Sequence, residues 1–383
     1  METLPAATSN AFGRDLGLAQ KAARSGIVPD RSRAADTHWD LWHSFCHSLD
    51  LDPTVENFED PVTLLQVFAQ RYRTGAIAPR GKPVRSRTVE DALRSVGQTL
   101  AMLGAQDPRL NHVGRVDFRL QRQLKCYSKE DPPPDRVKPI PVHLLRYVMA
   151  VAFANTAVAN HANQATADMI ALAFFFLLRP GEYTAMKSDT TPFRMQDVQL
   201  FVGGHRLDPL AAPLATIRTA TFATLTFTSQ KNGVRGEVIG LSRSGNPLLC
   251  PVLAIVRRLT HLRENNAPPS TPLAVYVRPG DGLTKIAPAD ITTMLRTAAT
   301  ALGPSIGFLA KDISARSLRA GGAMALLCAH VDTDTIRLIG RWRSDEMLRY
   351  LHVQAEPIMR DFAKKMLLDG AFTLLPSQDV PMF

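Results

Sequence analysis

A third of the way along the chain the sequence reads "SKEDPPPDRVKPIP", residues 128–141. Three consecutive prolines remove backbone donors that a helix or a central strand would need, and each pushes the residue before it towards an extended conformation. Charged residues on both sides keep the stretch in water. A stiff, extended linker is therefore predicted over residues 129–140. The chain has 383 residues, more than one ordinary domain holds. The linker is read as a boundary between a domain at 31–128 and another at 141–383. Residues 1–30 show no clear periodicity and are read as a poorly ordered tail or a frayed helix.

Between 31 and 128 the apolar residues recur at helical spacing. "AADTHWDLWHSFCHSLDL" (34–51) sets Trp39, Trp42, Phe45, Cys46 and Leu49 along one face. "DPVTLLQVFAQRYRTG" has Pro61 where a helix starts and Gly75 where one stops. A third helix is predicted from Thr88, with Asp91 as its capping-box partner and Val89, Leu93, Val96, Leu100 and Leu103 as its stripe. "RVDFRLQRQLKCY" supplies a fourth helix. No convincing strand interrupts them, so this half is predicted to be all-helical.

The second half is predicted to be mixed. Helices are expected in "PVHLLRYVMAVAF", "NQATADMIALAFFFLLRPGEYTAM", "CPVLAIVRRLTHLRENN", "ADITTMLRTAATAL", "RSLRAGGAMALLCAH" and "DTDTIRLIG". "FATLTFTSQKNGVRGEVIGLSR" reads as two strands around Lys231-Asn232-Gly233, because Asn-Gly favours a tight turn and the flanks alternate apolar and polar. The fold class expected for the whole is mainly α with a small antiparallel sheet. The tail "PIMRDFAKKMLLDGAFTLL" carries an apolar stripe of Ile358, Phe362, Met366 and Leu367, which packs either on its own domain or on a neighbouring protomer.

The apolar run "MIALAFFFLL" is about half the length that crosses a bilayer, so no membrane partner is expected. The N-terminus lacks the apolar stretch of a secretory signal. Cys46, Cys126, Cys250 and Cys328 lie far apart with no CxxC, which fits free thiols in a reducing compartment. An intracellular protein is expected, in the nucleus of a eukaryote or the cytoplasm and nucleoid of a bacterium. The net charge of +10 points to an anionic partner, and nucleic acid leads the candidates. "QRYRTGAIAPRGKPVRSRTVEDALRS" gathers Arg71, Arg73, Arg80, Lys82, Arg85, Arg87 and Arg94, the candidate contacts to a DNA backbone, next to a helix start that would favour phosphate. The alternative is a solvated basic loop.

Four further stretches carry candidate chemistry. In "LLRPGEYTAM", Arg179 stands at a helix junction with Glu182 three residues on. Lys231 tops the predicted hairpin, where an ammonium can reach a substrate and donate a proton. In "ARSLRAGGAMALL", Arg316 and Arg319 lie one turn apart beside Gly321 and Gly322, glycines that suit a close approach of another backbone or a ligand. In "LIGRWRSDEMLRYLH", Gly340 ends one helix, Ser344 can cap the next, and Tyr350 follows. Each stretch taken alone has a plain structural reading: a helix-start ion pair, a surface lysine, close packing, a core tyrosine.

In this order and spacing the four stretches resemble the tyrosine recombinase (phage integrase) family. That family has an arginine in an "LRxxE" stretch, a hairpin lysine, "HxxR", a Gly-His/Trp position and a nucleophilic tyrosine. Arg179 with Glu182, Lys231, Arg319, the "LIG" at 338–340 and Tyr350 match it, with Tyr350 ten residues after Gly340. The resemblance covers about 141–352, with a weaker likeness of the helical half to the family's core-binding domain. Its flavour is nearest to recombinases of eukaryotic mobile elements such as Cryptons. Two positions depart from the pattern. The histidine of "HxxR" is Arg316, and the His/Trp position is Arg341 by strict spacing, with Trp342 one residue later.

The resemblance implies a site-specific DNA recombinase or integrase working through a 3′-phosphotyrosyl intermediate. Tyr350 would be the nucleophile, Arg179 and Arg319 the phosphate clamp and Lys231 the proton donor to the leaving oxygen. Arg316, with Arg341 or Trp342, would complete the pocket, and Glu182 would orient Arg179. It implies double-stranded DNA as partner, a homo-oligomer (tetramer) on DNA, and neither metal nor other cofactor. Two other readings stand beside it: a catalytically impaired DNA-binding protein on the same scaffold, which the two departures favour, and a type IB topoisomerase-like enzyme.

Overall fold

The computed structural model describes residues 6–25, 29–55, 57–133, 138–154, 160–185, 192–228, 236–278, 282–302 and 307–342. Lys231, Tyr350 and the tail stripe Ile358, Phe362, Met366 and Leu367 lie outside the described residues. The chain divides into two compact units, Met1–Pro134 and Asp135–Phe383.

The regular elements described in the first unit are all helices: α1 (Ala6–Ser25), α2 (Pro29–His47), α3 (Pro61–Thr74), α4 (Ser86–Met102) and α5 (Phe118–Glu130). The stretch read as a poorly ordered tail or a frayed helix contains a twenty-residue helix, in spite of the weak periodicity of "AATSNAFGRDLGLAQKAARS". Trp42 and Phe68 meet edge to face at 5.2 Å, Phe45 packs on both, and Val89, Leu93, Val96 and Leu100 of α4 close the core. Trp42 Nε1 donates to Pro53 O at 2.9 Å, which satisfies the one polar group the indole buries. The chain leaves α2 at His47, four residues before the predicted end, so Leu49 is exposed rather than part of the stripe. The α3 boundaries follow the punctuation. Pro61 occupies its first turn, and Gly75 stops it in the left-handed conformation at φ 91°, with the carbonyl carbon of Lys82 2.6 Å from where a Cβ would sit.

The α4 start differs from expectation. The helix begins at Ser86, two residues before Thr88, and no Thr88–Asp91 capping box forms. Its cap comes from Asp131, just past the end of α5. Asp131 Oδ2 accepts from Ser86 N at 3.0 Å and from Ser86 Oγ at 2.5 Å. The same carboxylate receives Arg73 Nη1. Lys129 and Glu130, read as the start of the linker, complete α5.

The second unit contains α6 (Val142–Phe153), α7 (His161–Phe175), α8 (Pro180–Tyr183), α9 (Leu214–Ile217), α10 (Pro251–Glu264), α11 (Pro288–Leu302), α12 (Ser317–Cys328) and α13 (Thr333–Ile339). Its strands are β1 (Val198–Val202), β2 (His205–Leu207), β3 (Phe222–Phe227), β4 (Glu237–Ser242), β5 (Val275–Arg278) and β6 (Gly282–Lys285). The predicted hairpin is β3–β4, in register from Phe222 opposite Ser242 to Phe227 opposite Glu237. It is the edge of a four-stranded antiparallel sheet of order β2-β1-β3-β4, and β5 and β6 form a second hairpin. The protein is mainly α with small antiparallel sheets.

The centre of this unit is α7. Every residue from Ala165 to Phe174 is buried, with α6, α10, α11 and α12 packed around it. A helix buried on all sides needs apolar residues all round, which explains why "MIALAFFFLL" looks like half of a membrane span. The buried carboxylate of Asp168 is met by Arg257 Nε at 2.8 Å and Nη2 at 2.6 Å. Burial nevertheless pushes the Asp168 carboxyl above the usual carboxylate range, with Arg257 opposing. None of the helices among the described residues is long and apolar enough to cross a membrane.

Candidate active site: a guanidinium cluster at the end of α7

The carboxyl end of α7 closes in a Schellman turn. Leu178 N donates to Ala173 O at 2.9 Å and Leu177 N to Phe174 O at 3.4 Å. The position that usually holds glycine is Leu177, at φ 50°. A left-handed L-residue costs about 1–2 kcal/mol. The turn delivers the carbonyls of Phe176 and Leu177 to a small volume into which α8, α12 and the segment after α13 all reach.

Arg179 comes from α8. Pro180 sets the first turn, and the Glu182 carboxylate reaches back to the helix start. Glu182 Oε2 accepts from Arg179 N at 2.7 Å, and Oε1 accepts from Arg179 Nη1 at 3.0 Å. The Arg179 side chain is 28% exposed, so it faces both Glu182 and solvent. Tyr183, fully buried, donates its hydroxyl to Ala315 O at 2.9 Å and so ties α8 to the approach to α12.

Arg319 comes from α12, which lies close against its neighbours because of the two glycines. A Cβ on Gly321 would overlap Ile140 O, and one on Gly322 would overlap Phe174 O. The close approach anticipated for these glycines is therefore to protein backbone. Arg319 is 4% exposed. Its Nη1 donates to Leu177 O at 2.7 Å, and its Nη2 donates to Gly340 O. Its guanidinium lies 4.2 Å over the Trp342 ring. Arg316 stands at the N-cap of α12, exposed.

Arg341 and Trp342 take different places in the structure. Arg341 is left-handed at φ 57°. That bend folds the next ring back over Gly340, where a Cβ would overlap it. Trp342 packs with Leu177, Ala323 and Ile336 in a small apolar cluster beneath Arg319. The Arg341 guanidinium enters the cluster instead. Its Nη2 donates to Glu182 Oε2 at 2.9 Å and to Leu177 O at 3.2 Å, and its Nη1 donates to Phe176 O at 3.3 Å and Ile339 O at 3.2 Å. It lies 4.0 Å over the ring of Phe227, the last residue of β3. Burial pulls its pKa below the ordinary arginine range, opposed by the Glu182 and Glu237 carboxylates.

The structure thus brings Arg179, Glu182, Arg319 and Arg341 together and sets Trp342 beneath Arg319. Sequence reasoning missed Leu177, whose carbonyl serves two arginines, and Phe227, on which one of them lies. Pro180, shortly after the end of α7, was the available signal for the turn. A non-glycine left-handed residue leaves no such mark.

In the first unit, Arg73 is not a surface cation. Besides Asp131 it donates to Val84 O at 2.6 Å and Tyr127 O at 3.3 Å, and it lies 5.4 Å over the Tyr127 ring. Arg94 pairs with Glu90 at 2.9 Å and Asp91 at 3.4 Å. Arg71, over the Phe45 ring at 5.5 Å, and Arg80, Lys82, Arg85 and Arg87 are exposed. The α4 N-terminus, expected to attract phosphate, already holds the Asp131 carboxylate. Among the described residues no group of three or more His, Cys, Asp or Glu side chains could hold a metal ion.

No family model matches the chain, and none of the curated proteins matches its sequence. Among solved structures it is similar to the Tn1549 transposon integrase in complex with transposon right end DNA, at 12% identity over 80% of this chain and 85% of that one, with a TM-score of 0.44. The same integrase in complex with circular intermediate DNA gives 13% identity, 80% and 86% coverage, and a TM-score of 0.44. A crystal structure of XerA recombinase gives 10% identity, 86% and 98% coverage, and a TM-score of 0.36.

Proposed function

We propose that this protein is a tyrosine recombinase that cuts and rejoins DNA through a 3′-phosphotyrosyl intermediate. The observation that carries the reading is the gathering of Arg179, Arg319 and Arg341, far apart in sequence, around Glu182 and the Leu177 carbonyl. The guanidinium forks of Arg179 and Arg319 match the paired non-bridging oxygens of a phosphodiester, and they supply charge stabilisation of the kind that needs no metal ion. β3 ends beside the cluster, because its last residue, Phe227, underlies Arg341, and Lys231 follows four residues later in the sequence.

In this reading Tyr350 Oη attacks the phosphorus and the bond from phosphorus to the 5′-oxygen breaks. Tyr350 gives up its proton to solvent, and Lys231 protonates the leaving 5′-oxygen. The products are a 3′-phosphotyrosine and a 5′-hydroxyl. The reverse attack by a new 5′-hydroxyl rejoins the strand, so the bond energy is conserved without ATP. Arg179 and Arg319 hold the non-bridging oxygens, and exposed Arg316 adds charge at the rim. An arginine at this position cannot take the general-base role of a histidine. The first unit would hold the duplex through Arg71, Arg80, Lys82, Arg85 and Arg87, and exchange would proceed in a tetramer on DNA.

A second reading, DNA binding without chemistry, is favoured by the same Arg316 and by the burial of Arg341. Incubation with a duplex nicked beside the scissile phosphate separates the two. A recombinase traps a covalent protein–DNA adduct that Tyr350→Phe abolishes. Salt-dependent binding with no adduct from the wild type supports the second reading and overturns the first.

A further inference from the structure

Arg341 occupies the position where the resemblance places a side chain that touches the phosphate, yet its donors point elsewhere. A guanidinium has five N–H groups. The four terminal ones are directed at Phe176 O, Ile339 O, Leu177 O and Glu182 Oε2. The fifth, on Nε, is buried with no hydrogen-bond partner among the described residues, and the guanidinium carbon lies 4.0 Å from the centre of the Phe227 ring. None of the four terminal donors can reach a phosphodiester without giving up a protein acceptor in a buried site, where an unmade bond is costly, and the unpartnered Nε is itself closed off from solvent.

Its acceptors are informative. Glu182 Oε2 is shared by Arg341 Nη2 and Arg179 N, while Oε1 of the same carboxylate holds Arg179 Nη1. Leu177 O is shared by Arg341 Nη2 and Arg319 Nη1. Arg341 thus touches the acceptor that aims each of the two clamp arginines. Its left-handed backbone also sets the Trp342 ring under Arg319. The charged groups acting on it are Glu182, Arg179 and Glu237.

We infer that Arg341 is a positioning residue: it fixes Glu182 and the Leu177 carbonyl, and through them the aim of Arg179 and Arg319, without binding the phosphate itself. The inference rests on the reading that those two arginines clamp a phosphodiester. Two features of the site follow. The fork geometry matters as well as the charge, because one terminal nitrogen bridges a carboxylate and a carbonyl. The contribution of Arg341 also passes through Glu182, so the two residues act as one unit.

The test is single-turnover cleavage of a nicked duplex by the full chain, with DNA affinity and melting temperature measured alongside. The variants are Arg341→Met, Arg341→Lys, Glu182→Gln, Arg319→Ala and the double Glu182→Gln/Arg341→Met. Arg341→Met is expected to slow cleavage by about tenfold to a hundredfold, the range seen when a group that orients a functional ligand is lost, with DNA affinity within about threefold of wild type. Arg341→Lys, which keeps the charge and loses the fork, is expected to be slow as well, and it carries the test if Arg341→Met does not fold. The double variant should be no slower than the slower single, because coupled residues are non-additive. A scissile methylphosphonate, which removes one phosphate charge, should partly restore Arg319→Ala and leave Arg341→Met slow. Additive effects in the double variant, full activity in Arg341→Lys, or methylphosphonate rescue of Arg341→Met would each overturn the inference and leave the recombinase reading intact. A wild type that forms no adduct overturns both.

Discussion

Arg319 and Arg341 donate to one and the same carbonyl oxygen, that of Leu177, at 2.7 and 3.2 Å. The relationship explains how two like charges lie side by side in a buried site. The carbonyl end of α7 is the negative pole of the helix, and it is opened toward them by a left-handed turn. It also joins stability to activity for Arg319. Arg319→Ala is expected to slow strand cleavage by about 10²–10³, as for loss of one charge-stabilising donor, and to lower stability by about 1–3 kcal/mol through orphaned carbonyls. Arg316→Ala, exposed at the N-cap, should slow cleavage while leaving stability within about 0.5 kcal/mol. Single-turnover rates paired with urea unfolding of the same proteins check both.

The Asp131 carboxylate joins the end of α5 to the start of α4 and to Arg73. Asp131→Ala should destabilise the first unit by about 1–2 kcal/mol as a lost cap, and leave Arg73 without its carboxylate. Denaturant unfolding followed by the fluorescence of Trp39 and Trp42, which belong to that unit, reads it directly. An unchanged midpoint would show that the cap adds nothing.

DNA affinity should fall with salt, and the slope should count the contacts. Each of Arg80, Lys82, Arg85 and Arg87 that meets a phosphate contributes about 0.9 to the slope of log affinity against log salt. Arg87→Ala is expected to flatten the slope by about that amount with no loss of stability. Arg73→Ala should do the opposite, lowering stability and leaving the slope of the folded protein unchanged.

The pattern of what could be read from the chain follows from the range of the interactions. The α3 limits rest on Pro61 and Gly75, and the β3–β4 hairpin rests on alternation, so both are local and both were legible. The α4 cap comes from Asp131, 45 residues away, and a plausible local partner at Asp91 drew the reading to Thr88. β1, β2, β5 and β6 are three to five residues long, too short for a periodic signal. Within the cluster, Arg179 and Glu182 announced each other at a spacing of three. That Arg341 would take Glu182, 159 residues away, and lie on Phe227, depends on packing that no local pattern records.

His261 supplies a pH prediction. Its Nε2 accepts the backbone N–H of Val277 at 3.0 Å, so the ring must be neutral there. Burial first, then the nearby Arg258 and His161, lower its pKa from 6.5 to about 4. The unfolded chain therefore binds the proton more readily than the folded one between those values. Stability is fully present above about pH 6.5 and is lost as pH falls towards about 4. Melting temperatures across that window should decline in the wild type and decline less in His261→Gln.

The central claim is that Tyr350 is the nucleophile served by this cluster. Protease digestion of the adduct formed on a nicked duplex, followed by mass spectrometry, tests it most directly. The account predicts a 3′-linked nucleotide on the peptide that contains Tyr350 and no adduct from Tyr350→Phe. A nucleotide on any other residue, or an adduct that survives Tyr350→Phe, would contradict it.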